Sequence, residues 1–254
     1  MDSQEQSLLA EALRQTMTST APGAALDAAL VRLGWPDMLA ERPETVIPLV
    51  FLLLGETGTH APVINDVVGA TALPYAGGSW VAWRRDDFTG TALELPLQRV
   101  TEAAWIPPAA LAAGRRAAGW WLLGSGRAML ALARRHAVDR VQFGRPIAAF
   151  QAVRHKLAET LVALDGAEAV LRAARDDDLS SLLAKAAAGQ AALLAARHCQ
   201  QVLGGIGFTA EHALHHHVKR ALVLDGLLGS ARELTREAGR LVIAAGAAPR
   251  LVDL

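Results

Sequence analysis

The sequence has a single cysteine, Cys199, among its 254 residues, so no disulfide can form within the chain. This is typical of a protein from a reducing compartment, and we expect a cytoplasmic location. An excess of charge is also missing, because Lys and Arg together number 25, as do Asp and Glu, and the pI is about 7.1. Bulk charge therefore favours neither nucleic acid nor an anionic membrane surface as a partner.

The apolar runs are too short or too interrupted to cross a membrane, which requires about 20 apolar residues. "VIPLVFLLLG", residues 46–55, contains Pro48, and "GWWLLGSGRAMLALA", residues 119–133, carries Arg127. The N-terminal "MDSQEQSLLAEALRQ" lacks the basic start and the apolar stretch of a signal peptide. Hydrophobic residues nevertheless make up 52% of the chain, which is sufficient for a buried core in one large domain or two smaller ones.

The pattern of residues divides the chain into three regions. Residues 1–70 have the apolar spacing of helices, and residues 107–254 have it again after Pro107 and Pro108. Between them, residues 71–106 contain three candidate strands, "SWVAW", "TALEL" and "QRVTEAAWI". About 35 residues can form only a small sheet. We therefore predict a mainly α protein with a residual β patch.

Long helices with short connections predict a helical bundle in the third region. Ser230 and Glu233 form a capping-box pattern, which predicts that a helix begins near residue 231. Residues 117–133 are apolar nearly all round, which suggests that a partner chain covers this helix. The helices are expected at residues 109–138, 147–175, 179–202, 210–224 and 231–245.

Two segments at predicted helix ends combine polar residues with glycine. They are "DRVQFGRPIAAFQ", residues 139–151, and "QQVLGGIGFTAEH", residues 200–212. Taken alone, Arg140 could simply offset the dipole of the helix that it ends. Gly204 and Gly205 could likewise be a helix cap. The functional alternative is a backbone that approaches a ligand closely, with N–H groups for phosphate oxygens.

Together and in this order, "RVQFGRPIAAFQAVRHKLAET" and "QVLGGIGFTAEHALHHHVKRA" resemble the acyl-CoA dehydrogenase family. The resemblance covers about residues 105–245, and "LGWPDMLAERPETVIPLVFLLLGETGTHAP" looks like a shortened form of the family's N-terminal helical domain. It implies a C-terminal four-helix-bundle domain in a flavoprotein oxidoreductase that desaturates acyl-CoA thioesters. In this family the C-terminal domain grips the diphosphate and adenosine of an FAD whose flavin ring lies in the neighbouring subunit.

The resemblance also implies which residues bind the cofactor. Arg140 would pair with the pyrophosphate of FAD, as its planar guanidinium suits phosphate geometry. Phe143 would pack near the cofactor, and Gln151 would hydrogen-bond it. The other side of the site would be formed by a side chain and the following backbone, namely Gln201, Val202, Leu203, Gly204 and Gly205.

The catalytic base of the family is missing from the expected positions. Most members use a glutamate before a glycine in the loop after the last matching segment, and an ungapped count places Leu228 there. Some members use a glutamate early in the helix that leads to Arg140, and that place is close to Gly114. A three-residue slip would instead put Asp225 at the first position, as a candidate base.

The family's β-domain of roughly a hundred residues is reduced here to residues 71–106. With the base also missing, the resemblance implies a truncated, non-catalytic subunit of a heterotetramer, inactive alone. It would share FAD with a full-length partner that carries the glutamate, and the substrate could be a bulky ester such as a steroid side-chain CoA ester. The alternatives are a cofactor-free scaffold or regulatory subunit, and a self-sufficient enzyme that uses Asp225.

Three other clusters favour structural roles. Histidines 215–217 are neighbours in a helix and point about 100° apart, so they cannot all face one metal ion, and we expect surface histidines. Aspartates 176–178 are expected in a solvated turn. His198 and Cys199 lack a third group to position them, so a nucleophilic role is not expected.

Overall fold

The computed structural model describes residues 3–85, 95–175 and 177–248. The first region contains five helices, α1 (Ser3–Ser19), α2 (Ala24–Arg32), α3 (Trp35–Glu41), α4 (Pro43–Thr57) and α5 (Ile64–Val68). A three-stranded antiparallel sheet follows, in the order β1 (Ala72–Tyr75), β2 (Ser79–Trp83), β3 (Leu97–Val100). The third region contains α6 (Pro108–Asp139), a hairpin of β4 (Val141–Gln142) and β5 (Arg145–Pro146), α7 (Gln151–Ala173), α8 (Asp178–Leu203), α9 (Leu214–Gly226) and α10 (Ala231–Ala245).

The helix ends follow local chemistry. Proline is the first residue of α4 and α6, where a missing N–H costs nothing. Asp177 caps α8 by accepting a hydrogen bond from the Ser180 amide. The capping box predicted for Ser230 and Glu233 is confirmed, because both of its reciprocal hydrogen bonds are present. The mainly α fold with a small sheet is therefore confirmed as well.

The strand predictions are confirmed only in part. "SWVAW" is β2, whereas residues 91–94 of "TALEL" lie outside the described residues. "QRVTEAAWI" was predicted to be a strand throughout, and this is wrong beyond Val100. The pairing of β3 with β2 ends at Val100. The following residues have no described strand beside them, and they continue without regular structure to Pro107.

Helix α6 is buried by its own chain. Residues 117–126 are all buried between α4 and α8, and α9 packs along the same helix. A Cβ on Gly124 would meet the Leu52 carbonyl oxygen, so the α4 and α6 backbones come into close contact. For residues 117–126 the prediction that a partner chain covers the helix is therefore wrong, because an all-round apolar surface also suits a helix at the centre of a single chain. For residues 127–133 it stays a prediction.

One hydrophobic core joins the three regions, from Leu13 in α1 to Leu228 after α9. Within the bundle, a Cβ on Gly119 would meet Leu171 and Ala188, and Gly126 faces Leu164. Helix α7 is thus antiparallel to α6, and α8 is parallel to it. The C-terminus of α6, the N-terminus of α7 and the C-terminus of α8 consequently lie together. We call this the hairpin end, comprising the β4–β5 hairpin and residues 204–213.

Candidate functional site

The β4–β5 hairpin presents Phe143 to the outside. Gln142 pairs with Arg145, so Phe143 and Gly144 form a two-residue turn, with φ of +52° and +77°. Type I′ hairpin turns need positive φ at both positions and favour Asn-Gly or Gly-Gly. An aromatic residue in this left-handed region is rare and strained. The Phe143 side chain is 91% exposed and contacts Phe150 edge-on, with 6.0 Å between ring centroids.

Arg140 is held by its backbone, and its side chain is exposed. Its amide donates to the His136 carbonyl at 2.9 Å, and its carbonyl accepts from the Ile147 amide at 2.8 Å. Among the described residues, the Arg140 guanidinium makes no hydrogen bond or ion pair. Gln151 is the first residue of α7 and is also exposed. The hairpin side of the site thus offers a cation, an amide and an aromatic ring.

The α8 side offers one side chain and a stretch of backbone. Gln201 is exposed, whereas Val202 and Leu203 are buried in the core, so only their backbone could reach a ligand. Gly204 ends α8 with φ +64° and ψ −141°, which requires glycine. A Cβ on Gly204 or Gly205 would meet nothing within 4 Å, so this backbone faces open space.

The two sides lie at the same end of the bundle. His212, beyond the glycines, is near enough to His136 at the end of α6 to affect its protonation. Burial lowers the pKa of His136, and the charges of His212 and Arg140 lower it further. The structure thus places Arg140, Phe143 and Gln151 on one side of the hairpin end and residues 201–205 on the other. An exposed guanidinium with exposed amides suits a phosphorylated ligand.

The two positions at which the resemblance predicts the family's base, Leu228 and Gly114, face each other. Leu228 is 1% exposed. A Cβ atom added to Gly114 would lie 3.1 Å from the Cδ1 atom of Leu228. The φ of Leu228 is +60°, so its backbone is left-handed. The small sheet closes over this loop, because the Leu228 amide donates to the Pro74 carbonyl at 2.8 Å and Tyr75 pairs with Leu227. Apolar atoms occupy both positions, and neither can accept a proton.

Asp225 takes part in a structural network. Its carboxylate accepts from the Ala231 amide at 3.1 Å and lies over Gly189, while its carbonyl oxygen accepts from Lys185 Nζ at 2.9 Å. Lys185 also donates to the Gly229 carbonyl at 2.6 Å. Burial lowers the pKa of Lys185 to about 7. Sequence analysis missed Lys185, and its only signal is a lysine between the apolar residues of "SLLAKAAAG".

The remaining clusters have mostly local contacts. Rings of His215 and His216 touch edge-on at 5.6 Å, but His217 turns inward against Gly58, and burial lowers its pKa to about 4. The expectation of a surface position is wrong for His217, since this face of α9 packs on the loop after α4. The described residues contain no group of three or more metal-binding side chains.

Residues 198–199 and 176–178 also have structural contacts. His198 Nδ1 lies 3.1 Å from Thr160 Oγ1, and burial raises the pKa of Cys199 to about 12. A thiol that stays protonated is a poor nucleophile. Asp177 caps α8, and Asp176 lies outside the described residues.

One helical stretch, Asp178–Phe208, is long and apolar enough to cross a membrane by length and composition alone. Of its most apolar window, 61% is buried inside the chain. A core helix has the same properties, so this stretch is weak support for a membrane span.

Comparison with known proteins gives a consistent result. Residues 107–247, more than half of the chain, match the family model "Acyl-CoA dehydrogenase, C-terminal domain". The acyl-CoA dehydrogenase FadE34 of Mycobacterium tuberculosis is 38% identical over 232 residues, which cover 78% of this chain and 31% of FadE34. The acyl-CoA dehydrogenase IpdE2 of the same organism is 39% identical over 116 residues, which cover 45% of this chain and 36% of IpdE2. This chain thus spans about a third of the length of these curated relatives.

A solved structure is similar over nearly its whole length. A chain of a variant of the Tcur3481-Tcur3483 steroid ACAD aligns with a TM-score of 0.77 and 18% identity, over 96% of this chain and 99% of that chain. This likeness shows that a similar fold occurs in a solved protein over nearly the whole length of both chains. The family model, which matches the bundle and both segments at the hairpin end, shows the membership: the chain belongs to the acyl-CoA dehydrogenase family.

Proposed function

We propose that this chain is the non-catalytic subunit of a heteromeric acyl-CoA dehydrogenase. It supplies one half of a shared FAD site to a full-length partner subunit, which carries the catalytic glutamate and most of the acyl-CoA site. The reaction of the complex is the α,β-desaturation of an acyl-CoA thioester, and the chain is inactive alone. The complex is a heterotetramer located in the cytoplasm.

The observation that carries this proposal is the buried contact between Leu228 and Gly114. Proton abstraction requires an acceptor within hydrogen-bond reach of the substrate. Leucine and glycine side chains cannot accept a proton, and Asp225 is engaged with the start of α10. The chain has therefore lost the group that would act on its own substrate, while the groups that would act for a neighbour remain exposed.

The residues at the hairpin end fit the diphosphate and adenosine half of FAD. Arg140 would pair with the pyrophosphate, and Gln151 and Gln201 would donate amide hydrogen bonds. Phe143 would pack against the cofactor from its strained turn, and the open backbone at Val202, Leu203, Gly204 and Gly205 would allow close approach. When bound, the flavin accepts the hydride from the β carbon of the substrate.

The substrate class is proposed from the reduced sheet. The described residues between 72 and 100 form three short strands, so the sheet is small. We infer that a sheet of this size would leave space beside a partner's acyl site. The chain of the steroid ACAD has a similar fold over 99% of its length, which supports the proposal. We propose that a bulky acyl group, such as a steroid side-chain CoA ester, occupies the enlarged space.

A cofactor-free scaffold or regulatory subunit is the alternative. It would need the subunit contacts but not an exposed guanidinium and two exposed glutamines around an open glycine backbone. Strain at Phe143 is a second argument against it, since a left-handed aromatic residue with a 91% exposed side chain gains nothing from the core of its own chain.

The test is to purify the chain alone, and also together with a co-expressed full-length family member that retains its glutamate. We expect the chain alone to be colourless and inactive, and the complex to contain FAD and to oxidise acyl-CoA. Mutating the partner's glutamate to glutamine should abolish turnover and leave the flavin bound. A yellow chain that turns over alone would contradict the proposal, and an active complex whose FAD does not depend on Arg140 would favour the scaffold.

A further inference from the structure

The outward side of helix α7 carries apolar side chains that the chain itself leaves exposed. The buried side of α7 packs on α6 and α8, and the opposite side is open. Positions three or four residues apart lie on one side of a helix. Six exposed residues with this spacing form what we call the α7 face, namely Arg154, Ala158, Leu161, Val162, Asp165 and Ala169.

The centre of the α7 face is suited to contact with another helix. Val162 is 71% exposed and Leu161 is 49% exposed, whereas the outward side of a surface helix is normally polar. Ala158 and Ala169 have small side chains, so the backbone of a second helix can come close. Adjacent exposed apolar side chains of this kind indicate a surface for a protein partner.

Two opposite charges lie on either side of this apolar centre. Arg154 and Asp165 are both exposed, and within the described part of the chain neither side chain forms an ion pair. Their positions differ by 11 residues, which corresponds to about 16.5 Å along a helix. The α7 face therefore has a positive end, an apolar centre and a negative end.

A second copy of the chain complements this pattern when its α7 lies antiparallel on the first. A two-fold axis midway between Arg154 and Asp165 places each arginine beside the aspartate of the other copy. The same axis places Ala158 opposite Leu161 at the centre. A two-fold contact repeats every pair, so both ion pairs form together.

Other arrangements of two copies bring like charges together. Parallel helices in register would place the two Arg154 side chains side by side, and likewise the two Asp165 side chains. An antiparallel register centred on Val162 would place Asp165 beside Glu159 of the other copy. Like charges that face each other across an interface are costly. The charges on the α7 face therefore favour the register with reciprocal ion pairs.

We propose that two copies of this chain bind each other through the α7 face, as an antiparallel two-fold pair with reciprocal ion pairs between Arg154 and Asp165. The contact requires neither FAD nor a catalytic partner, so it applies to the chain alone. Its place in a larger assembly rests on the proposed function: in the heterotetramer it joins two halves, each of which has its own shared FAD site.

The test is sedimentation equilibrium of the full-length chain over a series of concentrations, with the mass of the co-expressed complex measured by light scattering. We expect a reversible dimer of the chain. Asp165→Arg should weaken this dimer at least tenfold, because two-fold symmetry places Arg154 beside the new cation twice. The double variant Arg154→Asp/Asp165→Arg should restore the dimer, since the exchanged charges form the same two ion pairs.

Glu11→Arg is the matched control, because it makes a similar change of charge at an exposed position of α1, and the dimer should be retained. Should Asp165→Arg fail to fold, Arg154→Asp produces a like-charge contact from the other end and decides the question. A chain that is monomeric at every concentration would overturn the proposal, as would a double variant that associates as weakly as Asp165→Arg.

The complex distinguishes a second copy from the catalytic partner as the occupant of the α7 face. We expect Asp165→Arg to halve the mass of the complex and to leave the catalytic partner and FAD bound. Release of the catalytic partner by this variant would show that the partner occupies the face, and would overturn the proposal. A parent complex without FAD would contradict the proposed function alone, since self-association is measured by mass.

Discussion

Substitutions of single residues at the hairpin end can distinguish a cofactor site from a helix cap. Arg140 has its backbone fixed by two hydrogen bonds and its guanidinium exposed, so its side chain contributes little to the core. Gly205 has an ordinary φ and no neighbour within 4 Å of a Cβ, so glycine is not required there by the fold. Both residues can therefore be changed with little effect on the chain itself.

Arg140→Ala should reduce FAD retention by the assembled complex without unfolding it. Loss of a charge-assisted hydrogen bond to phosphate corresponds to roughly a tenfold to hundredfold weaker affinity. FAD per complex after gel filtration and the melting temperature are the measurements, with Arg240→Ala as the control. Unchanged flavin with a lowered melting temperature would show that Arg140 acts only on the helix dipole.

Gly205→Ala should likewise lower the flavin content of the complex and leave the fold intact. The added methyl group would project into the space that a cofactor bound at the backbone must occupy, whereas the chain itself leaves it open. Gly239→Ala on α10 is the matched control, because its Cβ also meets nothing within 4 Å. Equal flavin in the two variants would exclude close approach of FAD to this backbone.

Lys185 makes stability depend on pH above neutrality. Burial lowers the pKa of Lys185 from 10.5 to about 7 in the folded chain. Between pH 7 and pH 10.5 the unfolded chain therefore binds one proton more at this residue than the folded chain does. Stability should therefore rise with pH across this window, by up to about 1.4 kcal/mol per unit. Chemical denaturation from pH 7 to 9 measures the slope of the unfolding free energy against pH, and Lys185→Met should reduce this slope. Above pH 9 the raised pKa of Cys199 acts in the opposite direction.

At the scale of elements, the contact between α4 and α6 organises the chain. Gly55 and Gly124 allow the two backbones to touch, and α6 is thereby enclosed by α4 on one side and α8 on the other. This enclosure explains why "GWWLLGSGRAMLALA" is apolar on nearly every face. The same contact connects the N-terminal helices to the bundle.

Gly124→Ala should destabilise the chain by about 1–3 kcal/mol, the usual range for overpacking. Its Cβ would meet the Leu52 carbonyl oxygen and would lie 3.0 Å from the Glu56 amide nitrogen, so α4 would have to shift. The free energy of unfolding in urea is the measurement. Gly166→Ala on α7 is the control, since its Cβ would be in open space, and a loss of equal size there would refute the packing explanation.

The whole molecule combines a continuous core with an exposed candidate site. The core extends from α1 to the loop after α9, and the small sheet closes over the loop that contains Leu228. The exposed apolar side chains at the hairpin end, including Phe143 and Phe208, are instead available for a ligand or a partner. The proposed function assigns the cofactor site of such a chain to two subunits.

Acid should destabilise the folded chain as a whole. Burial lowers the pKa of His136, His216 and His217, the last to about 4 from 6.5. The unfolded chain then binds more protons in this window, so stability is lost as pH falls from 6.5 to 4, by roughly 3 kcal/mol from His217 alone. Denaturation curves between pH 4 and 7 measure the slope, and His217→Gln should reduce it. An unchanged slope in that variant would contradict the assignment.

The sequence by itself determined the local features. Most helix bounds, the capping box at Ser230 and the position of Arg140 at a helix end depend on residues a few positions apart. The family resemblance depends on two segments, residues 139–151 and 200–212, each of which is recognised along the chain. The end of strand β3 could not be predicted from the sequence, because a strand ends where its neighbouring strand ends. The segment "QRVTEAAWI" contains no information on where β2 stops pairing with it.

Only the tertiary structure decided which distant residues meet. An apolar helix can be covered by its own chain or by another, and the contact of α4 with α6 settled this for residues 117–126. The two carbonyls that Lys185 binds lie 40 and 44 residues away along the chain. Leu228 faces Gly114 across more than a hundred positions. Periodicity and capping contain no information on such pairs, because their distance is set by the packing of whole helices.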